Sequence, residues 1–237
     1  MNVAWTAVGA AAGLPIGAAL RGPVFRLAVP SGENPRGGCP GCGAVVRYWV
    51  PLRCGTCGAF LGPPAVLELV TAAVLALLLG RYGLAPQTFA FAAFGVLGVA
   101  LAAIDISVER LPDRLTLPAF PVLLALLTGG AVAGHAGGDL LRAVLGAVAL
   151  CGGYLLLALV RPGQMGGGDI KLAASAGLMM GWLGWPPLLL GTALGFILSA
   201  VVSLALLAAR RITLRGSIPF GPFLIGGALL AMLAGHA

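Results

Sequence analysis

Two short acidic segments in an otherwise apolar chain hold the residues best suited to chemistry. The first, 103–118, contains Asp105, Glu109 and Asp113, and the second, 166–172, reads GGGDIKL; together they hold four of the seven acidic residues of the chain. Ionisable groups beside membrane-length apolar runs are costly, which makes them functional candidates. Two aspartates that meet in space and share a proton are the minimum equipment of an aspartyl protease.

Asp105 and Asp169 are the acids whose positions are hardest to explain by structure alone. Asp169 follows three glycines; a helix N-cap would explain the acid, but glycines also let a backbone approach closely, as an extended peptide substrate requires. Asp105 ends an apolar run, where an acid opposes the dipole of its own helix. We therefore predict that Asp105 and Asp169 form a catalytic pair.

Three other acids, two of them in the first segment, have simpler explanations. Asp113 follows Pro112 and begins the next apolar run, which predicts an N-cap or a loop-ordering role. Glu109 is predicted to be a solvated charge beside Arg110. Glu68 lies three residues into an apolar run, so we expect a local polar partner for it.

A proton shared between two carboxylates would support peptide hydrolysis. The ionised acid takes a proton from water as the water attacks the scissile carbonyl, while the protonated acid hydrogen-bonds the carbonyl oxygen and later helps the amine to leave. Other hydrolytic chemistries are poorly supplied, because the chain has only two histidines, His135 and His236, and no HExxH, GxSxG or Walker A sequence.

The composition indicates an all-α, polytopic integral membrane protein embedded in a lipid bilayer. The chain is 59% hydrophobic and 9% charged, against about 25% charged residues in an ordinary soluble domain. Apolar runs near membrane length number about eight, at 3–20, 65–80, 88–105, 115–134, 140–160, 170–184, 186–209 and 219–236. The first run has no basic segment before it, so we expect a retained span rather than a signal peptide.

The basic residues predict the topology. The loops between the eight apolar runs are numbered from the amino terminus. Arg81 and Arg142 occupy even-numbered loops, and the other 12 basic residues occupy odd-numbered loops. This asymmetry predicts cytoplasmic odd loops and two outward-facing termini. Both acidic segments then face the cytoplasm, whereas Asp139 faces outward. Topology also explains the net charge of +7, so no nucleic-acid partner is expected.

Two CxxC pairs in the first loop predict a metal site. Two CxxC pairs separated by eleven residues, slightly fewer than in the usual zinc ribbon, predict a tetrahedral thiolate site for structural zinc with no open position for water. Its ligands would be Cys39, Cys42, Cys54 and Cys57. Two disulfides are the alternative, but a cytoplasmic loop is a reducing environment. Cys151 lies inside an apolar run and is expected to be a small packing residue.

These observations divide the chain into three parts. Residues 1–20 are predicted to form the first transmembrane helix, and 21–64 a small cytoplasmic loop of zinc-ribbon type that the metal folds. Residues 65–237 are predicted to form a membrane-embedded protease core.

With these motifs the chain resembles the bacterial prepilin peptidases of the type IV pilus and type II secretion systems, which belong to the GxGD membrane aspartyl proteases. The resemblance covers nearly the whole length. It lies in the early loop with two CxxC pairs, in Asp105 with the following LPDRLTLP of 111–118, in the GGGDIKL of 166–172, and in the IPFGPF of 218–223.

The resemblance implies functions for individual residues. It places the catalytic pair on Asp105 and Asp169, and it implies substrate-binding or loop positions at Gly166, Gly167, Gly168, Lys171, Pro112 and Asp113. The implied substrates are prepilin or pseudopilin precursors, with a short basic leader and a hydrophobic helix. Cleavage would follow a glycine at the cytoplasmic face of the bacterial cytoplasmic membrane.

A second activity is implied by the same resemblance. Full-length members N-methylate the new amino terminus with S-adenosylmethionine, and their large N-terminal loop is implicated. In this chain, 20–27 matches the family's stretch before the cysteines only loosely, and the loop between the two CxxC pairs is short. The sequence assigns no residue to the methyl donor.

Three other functions share some of these features. A presenilin-like or archaeal preflagellin peptidase shares the GxGD element, but the CxxC loop and LPDRLTLP favour the bacterial prepilin type. A transporter with a proton relay needs acids deeper in its spans and internal pseudo-symmetry, and neither is visible. A non-catalytic assembly scaffold held by its zinc loop leaves the three glycines before Asp169 unexplained.

Overall fold

The architecture is a bundle of helices with one small cysteine-rich loop. The structure, a computed structural model, describes residues 2–46, 51, 53–62, 65–134, 137–160, 165–213 and 218–235. Over these ranges the chain forms eight helices, and its only strand-like pairing is two isolated bridges in the cysteine loop. The helices are α1 Val3–Leu27, α2 Val66–Tyr82, α3 Thr88–Val108, α4 Asp113–Gly134, α5 Gly137–Val160, α6 Gly167–Leu183, α7 Trp185–Ala208 and α8 Gly221–Ala234.

Each expected apolar run corresponds to one helix, which confirms an all-α, multi-pass membrane protein. Five helices (α1, α3, α4, α5 and α7) are long and apolar enough to cross a membrane, whereas α2 and α6 have 17 residues each and α8 has 14. Helix α1 continues past residue 20 to Leu27, through Pro15 and Pro23. The loop therefore begins later than the predicted boundary at residue 21. His135, His236, Arg47, Arg161 and Arg215 lie outside the described residues.

Helices α1 and α2 pack at close range along a glycine stripe. A Cβ atom added at Gly9, Gly13 or Gly17 would lie 2.3–2.5 Å from backbone atoms of α2. Small residues at a four-residue spacing let membrane helices approach in this way. Glu68 of α2 forms an ion pair with Arg21 of α1, which confirms the expected polar partner.

Helices α3, α6 and α8 form the centre of the bundle. Their facing side chains are fully buried, among them Phe91, Phe94, Leu172, Met179 and Met232. Helix α5 packs on α6, and α7 packs on α8. In this arrangement the C-terminal end of α3 meets the N-terminal ends of α6 and α8, and both acidic segments lie at that meeting point.

Candidate active site and metal centre

Asp105 is buried at the C-terminal end of α3. Its residue is 4% exposed, and its Oδ2 atom accepts a hydrogen bond of 3.0 Å from the backbone N–H of Gly221, the first residue of α8. The acid opposes the dipole of α3, but the positive end of the α8 dipole compensates it. The sequence revealed the unfavourable dipole of α3, but it did not reveal the favourable N–H group and dipole of α8.

Asp169 lies in the first turn of α6, where Gly166 is the N-cap. Asp169 is therefore not the cap itself. Its Oδ2 lies so close to Gly166 that a Cβ atom added there would be 3.1 Å away. Its Oδ1 is buried and has no hydrogen-bond partner within the described parts of the chain. Because a buried carboxylate oxygen without a donor is costly, Oδ1 is well suited to receive a hydrogen bond from a ligand or a moving side chain.

Both aspartates line one cavity of about 390 Å³, a volume within the range of ligand pockets. Most of the predicted loop residues join them there: the lining includes Gly166, Gly167, Gly168, Lys171 and Asp113, together with Ser31, Glu109, Arg110 and Leu111. Pro112 is not among the lining residues. Its carbonyl oxygen instead accepts the N–H groups of Leu115 and Thr116, at 3.0 and 3.1 Å, and so begins α4.

The three glycines before Asp169 have different surroundings. A Cβ atom added at Gly168 would lie 2.6 Å from Leu111 Cβ, so this glycine permits α6 to pack on the segment after α3. A Cβ atom at Gly167 would meet nothing within 4 Å. Of the three, only Gly167 therefore leaves space of the kind that an approaching peptide could use.

An ion pair joins the two acidic segments. Lys171 Nζ of α6 lies 2.5 Å from Asp113 Oδ1 of α4, with side-chain exposures of 37% and 61%. Exposed pairs contribute little to stability, typically about 0–1 kcal/mol. The pair connects the start of α4 with the first turn of α6, and the loop-ordering role of Asp113 stays a prediction.

The segment after α1 reaches the same cavity. Arg110 donates hydrogen bonds to the carbonyl oxygens of Val29 and Pro30, at 3.2 and 2.6 Å. Ser31 then lines the cavity. From the sequence, Arg110 was expected only to be a topogenic charge, and Gly221 had no predicted role although it lies within the IPFGPF segment.

The four loop cysteines converge on one point. Their sulfur atoms lie within 4.8 Å of one another, and the pairs Cys39–Cys57 and Cys42–Cys54 are each 3.7 Å apart. Four thiolates at about 2.3 Å from a tetrahedral ion would be separated by about 3.8 Å. All four are free thiols, so the structure supports a site that could hold a metal ion rather than the two disulfides.

Two similar turns aim the sulfur atoms. Cys39 and Cys54 each accept a backbone hydrogen bond of 2.9 Å from a glycine four residues later, Gly43 and Gly58, and both glycines adopt positive φ angles of 72° and 71°. This left-handed conformation favours glycine. Each CxxC pair is therefore shaped by its backbone as well as by its cysteines.

Electrostatics within the cluster also suit a cation. The backbone N–H groups of Cys57 and Thr56 lower the pKa of the Cys54 thiol to about 6. The N–H of Ala44 acts in the same direction on Cys42, but the Cys57 sulfur and desolvation outweigh it and raise the pKa of Cys42 to about 12. The cluster therefore favours the thiolate form of Cys54 over that of Cys42, and a bound divalent cation favours the thiolate form of its cysteine ligands in general.

Comparisons with known proteins agree with the geometry. Residues 91–209 match the model of the type IV leader peptidase family. A Burkholderia pseudomallei protein named prepilin leader peptidase/N-methyltransferase is 34% identical over 85% of this chain and 68% of its own length. Proteins of the same name from Pseudomonas aeruginosa and Bacillus subtilis are 32% and 31% identical, over 72% and 83% of their lengths. No solved structure matches the chain significantly.

The matched region begins in α3 and ends after α7, so it contains both aspartates and every lining residue of their shared cavity except Ser31. The relatives extend the similarity to 85% and 86% of the chain. The chain therefore belongs to the type IV leader peptidase family and is a membrane peptidase.

Proposed function

We propose that this enzyme removes the leader peptide from type IV prepilin or pseudopilin precursors, with Asp105 and Asp169 as its catalytic pair. The observation that carries the proposal is the single cavity lined by both acids, one from α3 and one from α6. The names of the relatives supply the substrate class.

In the proposed mechanism the two carboxylates hold one proton between them. The ionised member takes a proton from water, whose oxygen attacks the carbonyl carbon of the scissile peptide bond. The protonated member hydrogen-bonds the carbonyl oxygen, and a proton then passes to the departing amine as the C–N bond breaks. The products are the leader with a new carboxylate and the mature protein with a new amino terminus.

We place this chemistry at the cytoplasmic face of the bacterial cytoplasmic membrane, with both termini outside. Arg110, Lys171 and the cysteine loop lie at the same end of the bundle as the two aspartates. Positively charged residues favour the cytoplasmic side. A precursor whose apolar helix is in the bilayer would then present its leader junction at the depth of the cavity.

The proposed function is tested with the purified full chain in detergent and a pilin precursor that keeps its hydrophobic helix. Mass spectrometry of the product should show one new amino terminus, directly after the glycine that precedes the helix. The proposal would be contradicted if the precursor stayed intact while a thermal unfolding measurement showed that the enzyme was folded.

N-methylation of the new amino terminus is a second candidate activity, because the relatives carry it in their names. S-adenosylmethionine would be the methyl donor. With this compound added, the mature product should gain 14 Da per methyl group. A product mass that does not change would limit the enzyme to cleavage.

Asp113→Asn is expected to keep substantial activity, within about tenfold of wild type. The substitution removes only the exposed ion pair to Lys171, which orders the loop and is worth about 1 kcal/mol or less. Initial cleavage rates of the purified variant measure the effect. A rate as low as that of Asp169→Asn would move Asp113 into the catalytic pair.

We propose that the four cysteines hold a structural zinc ion, which would fold the loop around a small core of Phe25, Val46 and Leu61. Cys39→Ser or Cys57→Ser is expected to lower expression and bound zinc, and to speed proteolysis of the loop by about tenfold or more. Metal analysis and limited proteolysis measure this, with Cys151→Ser as the control. Unchanged stability after zinc chelation would contradict a structural metal.

A further inference from the structure

A second cavity also adjoins Asp169. It has a volume of about 520 Å³ and is lined by residues of α6, α7 and the segment before α8, including Met165, Phe196, Ser199 and Phe220. Asp169 lines this cavity as well as the one shared with Asp105. The residues that surround Asp169 in this second cavity have no part in the proposed mechanism.

Tyr154 of α5 packs on two of the residues that line this second cavity. It is 1% exposed, and its hydroxyl oxygen is buried without a hydrogen-bond partner in the described part of the chain. Its ring packs against Phe196 and Phe220, with centroid distances of 5.8 and 5.9 Å. Both phenylalanines line the second cavity beside Asp169.

The position of Tyr154 relates it to both acids. Phe220, which packs on its ring, directly precedes Gly221, whose N–H binds Asp105. Phe220 and Phe196, which both pack on the Tyr154 ring, line the second cavity together with Asp169. The tyrosine therefore packs on residues that adjoin both acids.

Two complementary atoms, one on Tyr154 and one on Asp169, lack partners. The Tyr154 hydroxyl is a hydrogen-bond donor, and Asp169 Oδ1 is an acceptor; both are buried and unsatisfied among the described residues. A buried polar atom without a partner is destabilising, whereas a hydrogen bond to a charged group is among the stronger ones. One rearrangement that joins these atoms would satisfy both.

We propose that Tyr154 is a positioning residue for Asp169. Its hydroxyl donates a hydrogen bond to Asp169 Oδ1 when substrate occupies the cavity that Asp105 and Asp169 share. The bond fixes the orientation of the carboxylate while its other oxygen faces the reacting water. This inference rests on the proposed role of Asp169. It predicts that the Tyr154 hydroxyl affects the rate of the chemical step and does not stabilise the free enzyme, whose fold the ring supports by packing.

A purely structural tyrosine would behave in the opposite way. If the Tyr154 hydroxyl stabilised the fold of the free enzyme, its loss would lower the melting temperature and leave kcat unchanged. The chain offers a control of this kind in Tyr82, whose hydroxyl donates to the carbonyl oxygen of Met232. The α8 end that holds Met232 is the opposite end from Gly221.

The test compares Tyr154→Phe and Tyr82→Phe in the full-length enzyme, with precursor as the substrate. Tyr154→Phe is expected to lower kcat by about 10- to 100-fold, as for the loss of other supporting hydrogen bonds, with KM within twofold and the melting temperature unchanged or higher. Tyr82→Phe is expected to lower the melting temperature and keep kcat within twofold. Thermal unfolding and initial rates are measured in the same detergent.

A kcat within twofold of wild type for Tyr154→Phe would overturn the inference, and so would a clear fall in its melting temperature or a failure to fold. Asp169→Asn, measured beside it, separates this failure from that of the proposed function. If Asp169→Asn is inactive and Tyr154→Phe is fully active, only the role of Tyr154 is wrong. If Asp169→Asn remains active, the proposed catalytic pair is wrong.

Discussion

Asp105→Asn and Asp169→Asn are each expected to lower the cleavage rate by about 10³-fold or more, or about 4 kcal/mol of transition-state stabilisation. An amide can neither take a proton from water nor share one with the remaining carboxylate, so each substitution removes a step that the other acid cannot replace. The unfolding free energy should hold or rise, because a buried carboxylate loses its desolvation cost when it becomes an uncharged amide. In Asp105→Asn, the new side-chain amide would keep an oxygen able to accept the Gly221 N–H.

The matched control for these two variants is Asp139→Asn. Asp139 pairs with Arg142 at 2.7 Å, and Arg142 also binds carbonyl oxygens at the C-terminal end of α6, far from Asp169. We expect this variant to be slightly less stable and as active as wild type. Initial rates and thermal unfolding of the three purified variants distinguish a catalytic from a structural role. A parallel loss of rate and melting temperature in the Asp105 and Asp169 variants would indicate a structural role.

Gly221→Ala is expected to lower kcat by about 10- to 100-fold. The new Cβ atom would lie 2.7 Å from Asp105 Oδ2 and 3.4 Å from Leu111 Cδ2. The Asp105 carboxylate must then move away from the N–H that compensates its charge, and its geometry towards Asp169 changes. Substrate affinity should change less than kcat, because the displaced group takes part in the chemical step.

Gly226→Ala in the same helix is the control for Gly221→Ala. A Cβ atom there would meet only Leu198 Cδ1 at 3.9 Å, an ordinary contact. Alanine is favoured over glycine within a helix by about 1 kcal/mol, so this variant should be active and equally or more stable. Equal activity of the two variants would contradict the proposed importance of the Gly221–Asp105 contact.

Much of the fold and of the candidate site follows from local sequence patterns. The apolar runs identify the eight helices because membrane insertion selects for length and hydropathy, which a single sequence displays. Asp105 and Asp169 are conspicuous because acids are rare in this chain. The four cysteines are recognisable because metal geometry fixes the spacing of each pair.

The neighbours of each helix could not be predicted in the same way. The glycine stripe at Gly9, Gly13 and Gly17 is visible in the sequence, but its partner helix is not. The donor to Asp105 comes from Gly221, 116 residues further along the chain. Hydropathy determines which segments lie in the membrane, but side-chain packing determines which helix ends meet.

The end of α1 shows the same limit. The apolar run stops near residue 20 because Arg21 follows, but the helix continues to Leu27. Arg21 remains inside the bundle through its ion pair with Glu68. A charge therefore marked the end of the hydrophobic pattern without ending the helix.

The most direct test of the catalytic pair is the amino-terminal mass of a pilin precursor co-expressed with wild type, Asp105→Asn or Asp169→Asn. We predict a single mature terminus with wild type, and full-length precursor with either variant at equal enzyme levels in the membrane. Mature product from both variants would contradict an aspartyl protease mechanism at this site. Mature product from only one would show that the remaining acid, rather than the pair, carries the reaction.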